Sequence, residues 1–317
     1  MTKRSLSIII PVYNEGMGVK HFLDEKILPV VLALPYETEL IIVDDGSTDK
    51  SLFSIKMSAA VKKIPTKIIS FTRNFGKEIA LSAGLKYVKT DAAIMLDADG
   101  QHPVDAIFKM LEKWEQGAKI VTALNDKNST KHRISSRLYY RMMRVMGNSG
   151  IREGAMDFRL LDRVVVDEYN RFTEHNRMTR GLIDWLGFPQ EYIKVSTLKR
   201  ALGTPTYSRK KLAKLALDSF AATSETPLLV FGYLGALITV TSLPFGLFIL
   251  IEQYIMGDPM GLDWSGAVAM SVFVAFLVGL VLISQSMTSL YIAHIHAEAK
   301  NRPLYVIDRT KSSNIED

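Results

Sequence analysis

The sequence of 317 residues has no cysteine, which excludes disulfide bonds and metal sites made of thiolates. It also lacks the phosphate-binding motifs G-x-G-x-x-G and G-x-x-x-x-G-K-[ST] and the nucleophile motif G-x-S-x-G. A nucleotide bound by this chain would therefore be held by a metal ion and by basic side chains. The net charge of +6 suits anionic partners such as nucleotides and lipid headgroups. No recognised motif supports a nucleic-acid partner, and we expect none.

Two segments, residues 227–251 and 264–293, contain no charged residue. Each can span a bilayer, because about 20 residues of helix cross the hydrocarbon core. The alternative is a pair of buried helices in a soluble protein, but such helices rarely exceed about 20 residues. Basic residues precede the first segment and follow the second, whereas the loop at 252–263 has no Lys or Arg. The positive-inside rule thus predicts a two-pass protein of the inner (cytoplasmic) membrane with both termini in the cytoplasm.

The first 125 residues alternate between short apolar runs and amphipathic stretches. The runs typical of buried strands are 6–12, 39–45, 66–71, 92–97 and 119–124. The stretches with helical spacing are 16–34, 48–62, 77–89 and 104–116. This alternation predicts an α/β domain whose mostly parallel sheet is covered by helices on both sides. We place this cytoplasmic domain at residues 1–220, and a membrane domain with a short cytoplasmic tail at residues 221–317.

Acidic residues stand where several of the predicted strands end, and ligands of such a sheet bind at the carboxyl ends of its strands. Asp97 and Asp99 follow the fourth strand, and their i, i+2 spacing points both side chains to one side. Carboxylates that converge repel each other unless a cation neutralises them. Mg²⁺ or Mn²⁺ binds one or two carboxylates together with phosphate oxygens. The pattern predicts a metal site at Asp97 and Asp99 that accepts a diphosphate. Asp44 and Asp45 end the second strand, where turn formation is the alternative.

A basic segment and a stripe of small residues support two further expectations. Residues 131–144 contain Lys and Arg but no acidic residue, so a helix here either has a solvated basic face or lies against an anionic membrane surface. Small residues at four-residue spacing let membrane helices approach closely, and they are Ala267, Ser271, Ala275 and Gly279. We expect this stripe to pack helices within the chain or between chains, and we expect a homo-oligomer.

Five segments carry a resemblance to a known family: SIIIPVYNE, IIVDDGSTD, RNFGKE, LDADGQHP and MDFRLLDR. In this order and at these spacings they resemble family 2 glycosyltransferases of the GT-A fold. More narrowly, they are similar to the polyprenyl-phosphate glycosyltransferases of the bactoprenol glucosyltransferase group, which are related to dolichyl-phosphate mannose synthase. The likeness covers the whole chain, because that group has two C-terminal membrane helices and a juxtamembrane segment matched here by Arg200, Gly203 and Tyr207. The chain departs from the family pattern at Gly100, where many relatives have Leu, and at GTPTY, where relatives often have GSKY.

The resemblance implies a UDP-sugar donor, a polyprenyl phosphate acceptor in the lipid bilayer, and Mg²⁺ or Mn²⁺ as the cofactor. It also implies site residues. Those expected to bind the nucleotide sugar are Pro11, Tyr13, Glu15, Asp44, Asp45, Arg73 and Gln101. Those expected to bind the lipid phosphate are Arg159, Arg200, Tyr207, Arg209 and Lys210. The alternative for the last four is that they only mark the membrane topology. Asp97 and Asp99 are the expected metal ligands, and Asp157 is the expected base or acceptor-orienting carboxylate; these three form the catalytic set.

The implied reaction is an inverting, metal-dependent transfer of a sugar, expected to be glucose, to polyprenyl (undecaprenyl) phosphate for cell-envelope or glycan modification. The same reaction with mannose, N-acetylglucosamine or aminoarabinose is an alternative, as is a non-catalytic scaffold that binds nucleotide sugars at the membrane. A processive polysaccharide synthase is disfavoured, because the chain has no Q-x-x-R-W motif. A phosphate monoester has its second pKa near ~6 and is largely deprotonated at neutral pH. We therefore expect Asp157 to orient the acceptor or the sugar more than it abstracts a proton.

Overall fold

The structure is a computed structural model of the chain. It describes residues 4–125, 154–174, 177–196 and 299–315, together with isolated positions between 251 and 296. The chain divides into two compact units, Met1–Tyr207 with Arg302–Asp317, and Ser208–Asn301. In the second unit, only isolated positions and residues 299–301 are described. The domain boundary placed at residue 220 stays a prediction.

The first unit contains a mixed, mostly parallel sheet of seven strands in the order β3-β2-β1-β4-β6-β5-β7. The strands are β1 Ser5–Val12, β2 Glu37–Asp44, β3 Thr66–Ser70, β4 Ala92–Met95, β5 Ile120–Asn125, β6 Ala155–Asp162 and β7 Gln190–Val195. All neighbouring pairs are parallel except those of β6, which runs antiparallel to both β4 and β5. This sheet confirms the predicted α/β class and the five predicted strands. β6 and β7 were not predicted.

Helices connect these strands and cover the sheet. They are α1 Gly18–Phe22, a π-helical segment Leu23–Ile27, α2 Leu28–Ala33, α3 Ser51–Lys56, α4 Ala59–Lys63, α5 Lys77–Lys86, α6 Ala106–Glu115, α7 Arg163–Asn170 and α8 Thr179–Trp185. The helix predicted at 48–62 is divided in two at Ser58. This residue has an extended backbone, and its hydroxyl accepts a hydrogen bond from the Ala60 N–H, so it begins a new helix.

The core lies on both faces of the sheet, because the central strands are buried on both sides. Along β1, Ile8 and Ile10 pack into one apolar cluster and Ile9 into the other, and all three are fully buried. Helix α5 approaches the second face closely at Gly84, where an added Cβ would lie 2.4 Å from Ile9 Cγ2. Continuous apolar strands such as β1 are typical of a parallel sheet covered by helices. This packing fixes the start of α5 close to the carboxyl ends of the strands.

The C-terminal segment, residues 305–314, lies along β3 at the edge of the sheet. Ile68 exchanges backbone hydrogen bonds with Ser313, and the Asp308 N–H donates to the Ser70 carbonyl. The Tyr305 ring stacks on Phe71, with ring centroids 4.9 Å apart. Residues far apart in the sequence thereby close one edge of the sheet within the first compact unit.

Several predictions concern residues outside the described part of the chain. Among the described residues, no helix combines the length and the apolar character needed to cross a bilayer. The predicted spans 227–251 and 264–293 fall outside these residues except at isolated positions, and the basic segment 131–144 falls outside them entirely. The small-residue stripe also lies outside, as do the expected lipid-phosphate residues Arg200, Tyr207, Arg209 and Lys210.

Candidate active site

Two carboxylates and two cations meet at the carboxyl ends of the central strands. Asp97 follows β4, Asp157 lies on β6, Lys77 begins α5 and Arg180 lies in the first turn of α8. Lys77 Nζ is 2.8 Å from the Asp97 carboxylate and 3.0 Å from Asp157 Oδ2. Arg180 donates to Asp157 Oδ1 from Nη2 at 2.6 Å and from Nε at 3.1 Å. The predicted catalytic residues Asp97 and Asp157 are thus joined through one ammonium group.

The charges in this cluster control each other's protonation. Burial alone would raise the pKa of Asp157, but the Lys77 ammonium and the Arg180 guanidinium hold this pKa well below its usual range. Burial alone would lower the pKa of Lys77, but Asp97 and Asp157 raise it well above its usual range. Asp157 and Lys77 are therefore both charged at neutral pH, and Asp157 is a weak proton acceptor.

A third acidic residue, Glu78, lies beside this cluster. Its carboxylate accepts a hydrogen bond of 2.8 Å from the Thr179 N–H at the start of α8. Burial raises the pKa of Glu78, and the nearby negative charge of Asp157 raises it further. Glu78 connects the first turns of α5 and α8, the two helices that supply Lys77 and Arg180.

The loop after β4 presents Asp97 and Asp99 at the edge of the site. Gln101 donates two hydrogen bonds to Asp99, from its backbone N–H to Oδ1 at 3.0 Å and from Nε2 to Oδ2 at 2.8 Å. Gly100, which stands where many relatives have Leu, has φ of 69°. This conformation favours glycine, so the residue suits the turn. His102 is buried and stacks on Phe158, and its Nδ1 accepts the Asp97 N–H at 3.4 Å. The loop is therefore anchored by His102, which leaves both carboxylates partly exposed.

These residues fit a hard divalent cation that arrives with its own phosphate ligands. Among the described residues, no group of three or more His, Cys, Asp or Glu side chains forms a metal cage. Asp97 and Asp99 offer two carboxylates, which is the usual protein contribution to a Mg²⁺ site completed by substrate phosphates and water. Lys77 pairs with Asp97 and Asp157, and Gln101 donates to Asp99. Two partly exposed carboxylates on one loop favour binding of a cation there.

Asp44 and Asp45 are buried at the end of β2, and they accept hydrogen bonds from different groups. Asp44 accepts hydrogen bonds from the Ser70 hydroxyl at 2.8 Å and from the Ser47 N–H at 3.1 Å. Asp45 accepts from the backbone N–H groups of Phe75 and Gly76 at 2.7 and 2.9 Å. Burial raises the pKa of Asp45, and these two hydrogen bonds oppose the rise. Asp45 thereby holds the loop that precedes α5, and the nucleotide-sugar roles expected of Asp44 and Asp45 both stay predictions.

Two loops lie side by side near Asp45. Gly46 has φ of 66°, and a Cβ there would lie 2.3 Å from the Arg73 carbonyl carbon, so only glycine fits this approach. The Arg73 guanidinium lies over the Phe75 ring, 4.0 Å from its centroid. Arg73 itself is exposed and remains accessible to a ligand. Its predicted contact with the donor stays a prediction.

The loop after β1 is held by the loop after β2. Asn14 has φ of 53°, and its side-chain oxygen accepts the Thr48 N–H at 2.9 Å. Beside it, Tyr13 is 44% exposed, while Pro11 and Glu15 are half-buried. Pro11 lies near the end of β1 and Tyr13 and Glu15 in the loop that follows, so these three predicted nucleotide-sugar residues lie at the same edge of the sheet as Asp44.

Arg159 is buried inside the domain, whereas a residue that binds a lipid phosphate has to be accessible. Its side chain is 1% exposed and forms an ion pair of 2.7 Å with Asp184, itself 4% exposed. Nε donates to the Met156 carbonyl at 3.3 Å, and Nη2 has no hydrogen-bond partner among the described residues. The guanidinium thus joins β6 to α8 inside the domain. Its expected lipid-phosphate role stays a prediction, which these contacts do not support.

Three site residues were assigned no role from the sequence: Lys77, Glu78 and Arg180. Lys77 and Glu78 stand in the segment RNFGKE, so a cation beside a carboxylate at the start of a helix was visible there. Arg180 has no local pattern that distinguishes it from other basic residues. Only the packing of α8 against β6 brings it to Asp157.

Comparison with known proteins shows the family of the chain. The family model described as glycosyl transferase family 2 matches residues 7–170. The glycosyltransferase YkcC of Bacillus subtilis is 34% identical over 307 residues, which cover 96% of this chain and 93% of that protein. The prophage-derived bactoprenol glucosyl transferase of Shigella flexneri is 32% identical over 312 residues, covering 98% of this chain and 99% of that protein.

Among solved structures, mannosyl-3-phosphoglycerate synthase from Rubrobacter xylanophilus is similar in fold, with a TM-score of 0.52 at 13% identity. The match covers 68% of this chain and 71% of that one. This likeness supports the GT-A-like architecture of the sheet and nothing finer. The family itself rests on the sequence comparisons, which extend over more than half of the chain for the family model and nearly all of it for the relatives. The chain belongs to glycosyl transferase family 2.

Proposed function

We propose that this glycosyltransferase transfers glucose from UDP-glucose to polyprenyl (undecaprenyl) phosphate, with inversion, at the cytoplasmic face of the inner membrane. The named relatives support this choice, because several are bactoprenol glucosyl transferases similar over nearly their whole length. The observation that carries the proposal is the cluster in which Lys77 joins Asp97 to Asp157 and Arg180 flanks Asp157. It combines an acidic edge for a cation with basic groups for phosphate.

In the proposed reaction, a phosphate oxygen of the acceptor forms a bond to the anomeric carbon of glucose. The bond between that carbon and UDP breaks, and UDP leaves with the electron pair. The attacking phosphate oxygen is already ionised at neutral pH, so the step needs little base catalysis. The low pKa of Asp157 agrees with this, because a carboxylate held ionised by Lys77 and Arg180 accepts protons poorly.

The main contribution of these side chains is therefore positioning. Asp157 keeps Lys77 and Arg180 in place beside the site, where their charges attract the anionic acceptor. Asp97 and Asp99 would hold Mg²⁺ or Mn²⁺, which neutralises charge on the departing diphosphate when bound. Asp45 maintains the start of α5, which fixes where the Lys77 side chain begins.

The proposal is tested with the purified full chain, undecaprenyl phosphate and Mg²⁺ or Mn²⁺. Labelled UDP-glucose, UDP-N-acetylglucosamine and GDP-mannose are supplied in turn, and label in the organic phase is measured. We expect UDP-glucose to give label in the organic phase with the wild type. The Asp97→Asn variant should give none. Asp105→Ala is the matched control, because Asp105 is exposed at the start of α6 and should leave the label unchanged. Label from another donor alone would show that the sugar of that donor, and not glucose, is transferred. No label from any donor would favour the scaffold alternative.

Membrane topology and oligomeric state belong to the same proposal. The chain has no native cysteine, so single cysteines report topology without background. Gln253→Cys, between the predicted spans, should react with an impermeant maleimide added outside cells. Thr310→Cys, in the C-terminal segment, should react only after the membrane is opened. Reaction of both positions, or of neither, in intact cells would overturn the two-pass arrangement. Light scattering of the purified chain measures whether a homo-oligomer forms.

A further inference from the structure

Lys77 holds the carboxylate that a divalent cation would need. Its Nζ lies 2.8 Å from the Asp97 carboxylate and 3.0 Å from Asp157, bridging the two. The three side chains are 37%, 22% and 25% exposed, in that order, so ions and substrates can reach them. Lysine and a metal ion at Asp97 are therefore alternatives, because two cations close to one carboxylate repel each other.

We propose that Lys77 is a displaceable internal cation, which neutralises Asp97 until a divalent ion binds there and then turns its ammonium to a substrate phosphate. This inference rests on the proposed function, since it requires a metal ion at Asp97 and a phosphate-bearing substrate. It adds a competition between Lys77 and the metal ion, and a second use of the same ammonium group.

The position of Lys77 permits such an exchange. Its backbone is fixed, because it is the first residue of α5 and the preceding Phe75 and Gly76 N–H groups bind Asp45. Its side chain is a compact charge on a four-carbon stem, with three rotatable donors. The ammonium can therefore move by several ångströms while the helix stays in place. A rigid guanidinium at the same position would be less suited to changing partners.

The charge balance explains why a phosphate is the second partner. Asp157 already accepts two hydrogen bonds from Arg180 and stays ionised at neutral pH. Once a metal ion neutralises Asp97, that carboxylate no longer attracts the Lys77 ammonium, and Lys77 shares Asp157 with Arg180. An ammonium in a partly buried site that loses one of its carboxylates attracts a dianion, and lysine binds phosphate as a point charge. The phosphate is either that of the lipid acceptor or part of the donor diphosphate, and the two are separated by experiment.

The competition is tested by metal binding without substrates. Lys77→Met removes the ammonium and keeps the apolar stem. Lys119→Met is the matched control. Lys119 is 41% exposed and forms an ion pair of 3.2 Å with Asp162, and neither residue belongs to the active-site cluster. Binding of Mn²⁺ to each full-length protein is followed by the loss of the free-ion electron paramagnetic resonance signal. We expect Lys77→Met to bind Mn²⁺ about 2- to 5-fold more tightly than the wild type and the control, the scale of one partly exposed ion pair.

Equal or weaker Mn²⁺ binding by Lys77→Met would overturn the inference and leave the proposed function intact. If the wild type binds no Mn²⁺, the titration is repeated with UDP present. Absence of binding there would overturn the metal-dependent function and the inference with it. A purely structural salt bridge would lower the melting temperature of Lys77→Met without tightening Mn²⁺ binding, and that result also counts against the exchange.

The phosphate partner is identified by steady-state kinetics at saturating metal. We expect Lys77→Met to raise the KM for undecaprenyl phosphate at least about 10-fold, the loss of one charged hydrogen bond, with a small change in the KM for UDP-glucose. The opposite pattern would assign the ammonium to the donor diphosphate and support the exchange equally. Lys77→Arg keeps the charge and should restore part of the affinity. No change in either KM would refute the phosphate role.

Discussion

Replacing Asp184 by Asn should destabilise the domain more than any single change at the partly exposed active-site cluster. Asp184 accepts a hydrogen bond of 2.7 Å from Arg159, and the two side chains are 4% and 1% exposed. The substitution removes the negative charge but leaves the guanidinium buried. Arginine stays protonated at any workable pH, so its charge cannot be relieved by losing a proton.

The size of the effect follows from that burial. Removing one partner of a buried ion pair costs about 3–5 kcal/mol, because the other charge is left uncompensated. Arg159 has little to offset the loss, since Nε reaches only the Met156 carbonyl and Nη2 has no partner among the described residues. The free energy of unfolding of a domain of ordinary stability is about 5–15 kcal/mol. The melting temperature should fall by roughly 6 to 20 °C, at about 2–4 °C per kcal/mol for a domain of this size.

The assay is thermal and urea unfolding of the full-length chain in mild detergent, followed by near-ultraviolet circular dichroism. A repair variant sharpens the test. Arg159→Met combined with Asp184→Leu removes both charges and fills the space with apolar groups, which is often neutral or stabilising for buried pairs. We expect the double variant to unfold within about 1 kcal/mol of the wild type and well above Asp184→Asn.

A loss of less than about 1 kcal/mol for Asp184→Asn would refute the reasoning, because such a value is typical of solvent-exposed pairs. The double variant also decides the role of Arg159. If it folds and keeps its KM for undecaprenyl phosphate, Arg159 is a structural residue. If it folds and loses acceptor affinity, the expected phosphate contact exists despite the burial.

Three further outcomes are expected. Gly84→Ala should cost about 1–3 kcal/mol in urea unfolding, because the new Cβ would lie 2.4 Å from Ile9 Cγ2. The pKa of Asp24 is lowered from 3.8 to about 2. Burial opposes this shift, but the hydrogen bonds that Asp24 accepts from Lys20, Ser58 and Ala60 outweigh it. Because the folded-state pKa is the lower one, its stabilisation is present above about pH 4 and is lost as the pH falls through 2. Asp24→Asn should therefore lose about 1–2 kcal/mol in urea unfolding at pH 7 and almost nothing near pH 2. Asp157→Asn should lower kcat at least about 100-fold at both pH 6 and pH 9, as expected for lost positioning, and recovery at pH 9 would instead indicate proton transfer.

The part of the fold that could be predicted is the part where each element carries its own pattern. β1 to β5 are short apolar runs separated by helical spacing, and local sequence is enough to identify them. β6 was missed because Asp157 and Arg159 interrupt its apolar pattern. Both are charged residues within the sheet, and each is neutralised by a partner on α8. Their burial depends on tertiary packing, which no local pattern encodes.

The candidate site likewise has residues that local sequence identifies and residues that only tertiary packing brings there. Asp97 and Asp99 were predicted because strand ends of a parallel sheet lie on one edge, whatever the packing of the helices. The bridging role of Lys77 was not predicted, because it depends on where α5 begins relative to β4 and β6. Asp45 was predicted as a nucleotide-sugar ligand, and that role stays a prediction. Its two hydrogen bonds to backbone N–H groups give it a loop-holding role as well, which the sequence does not distinguish from ligand binding.

The return of the C-terminal segment to β3 has a practical consequence for work on the isolated catalytic half. A fragment ending near residue 200 would leave the polar backbone groups of Ile68 and Ser70 without their partners and would uncover the Phe71 ring. An uncovered edge strand is a template on which a second molecule can add. Such a fragment should self-associate in solution, and linking residues 302–315 back to it should restore a monodisperse catalytic half.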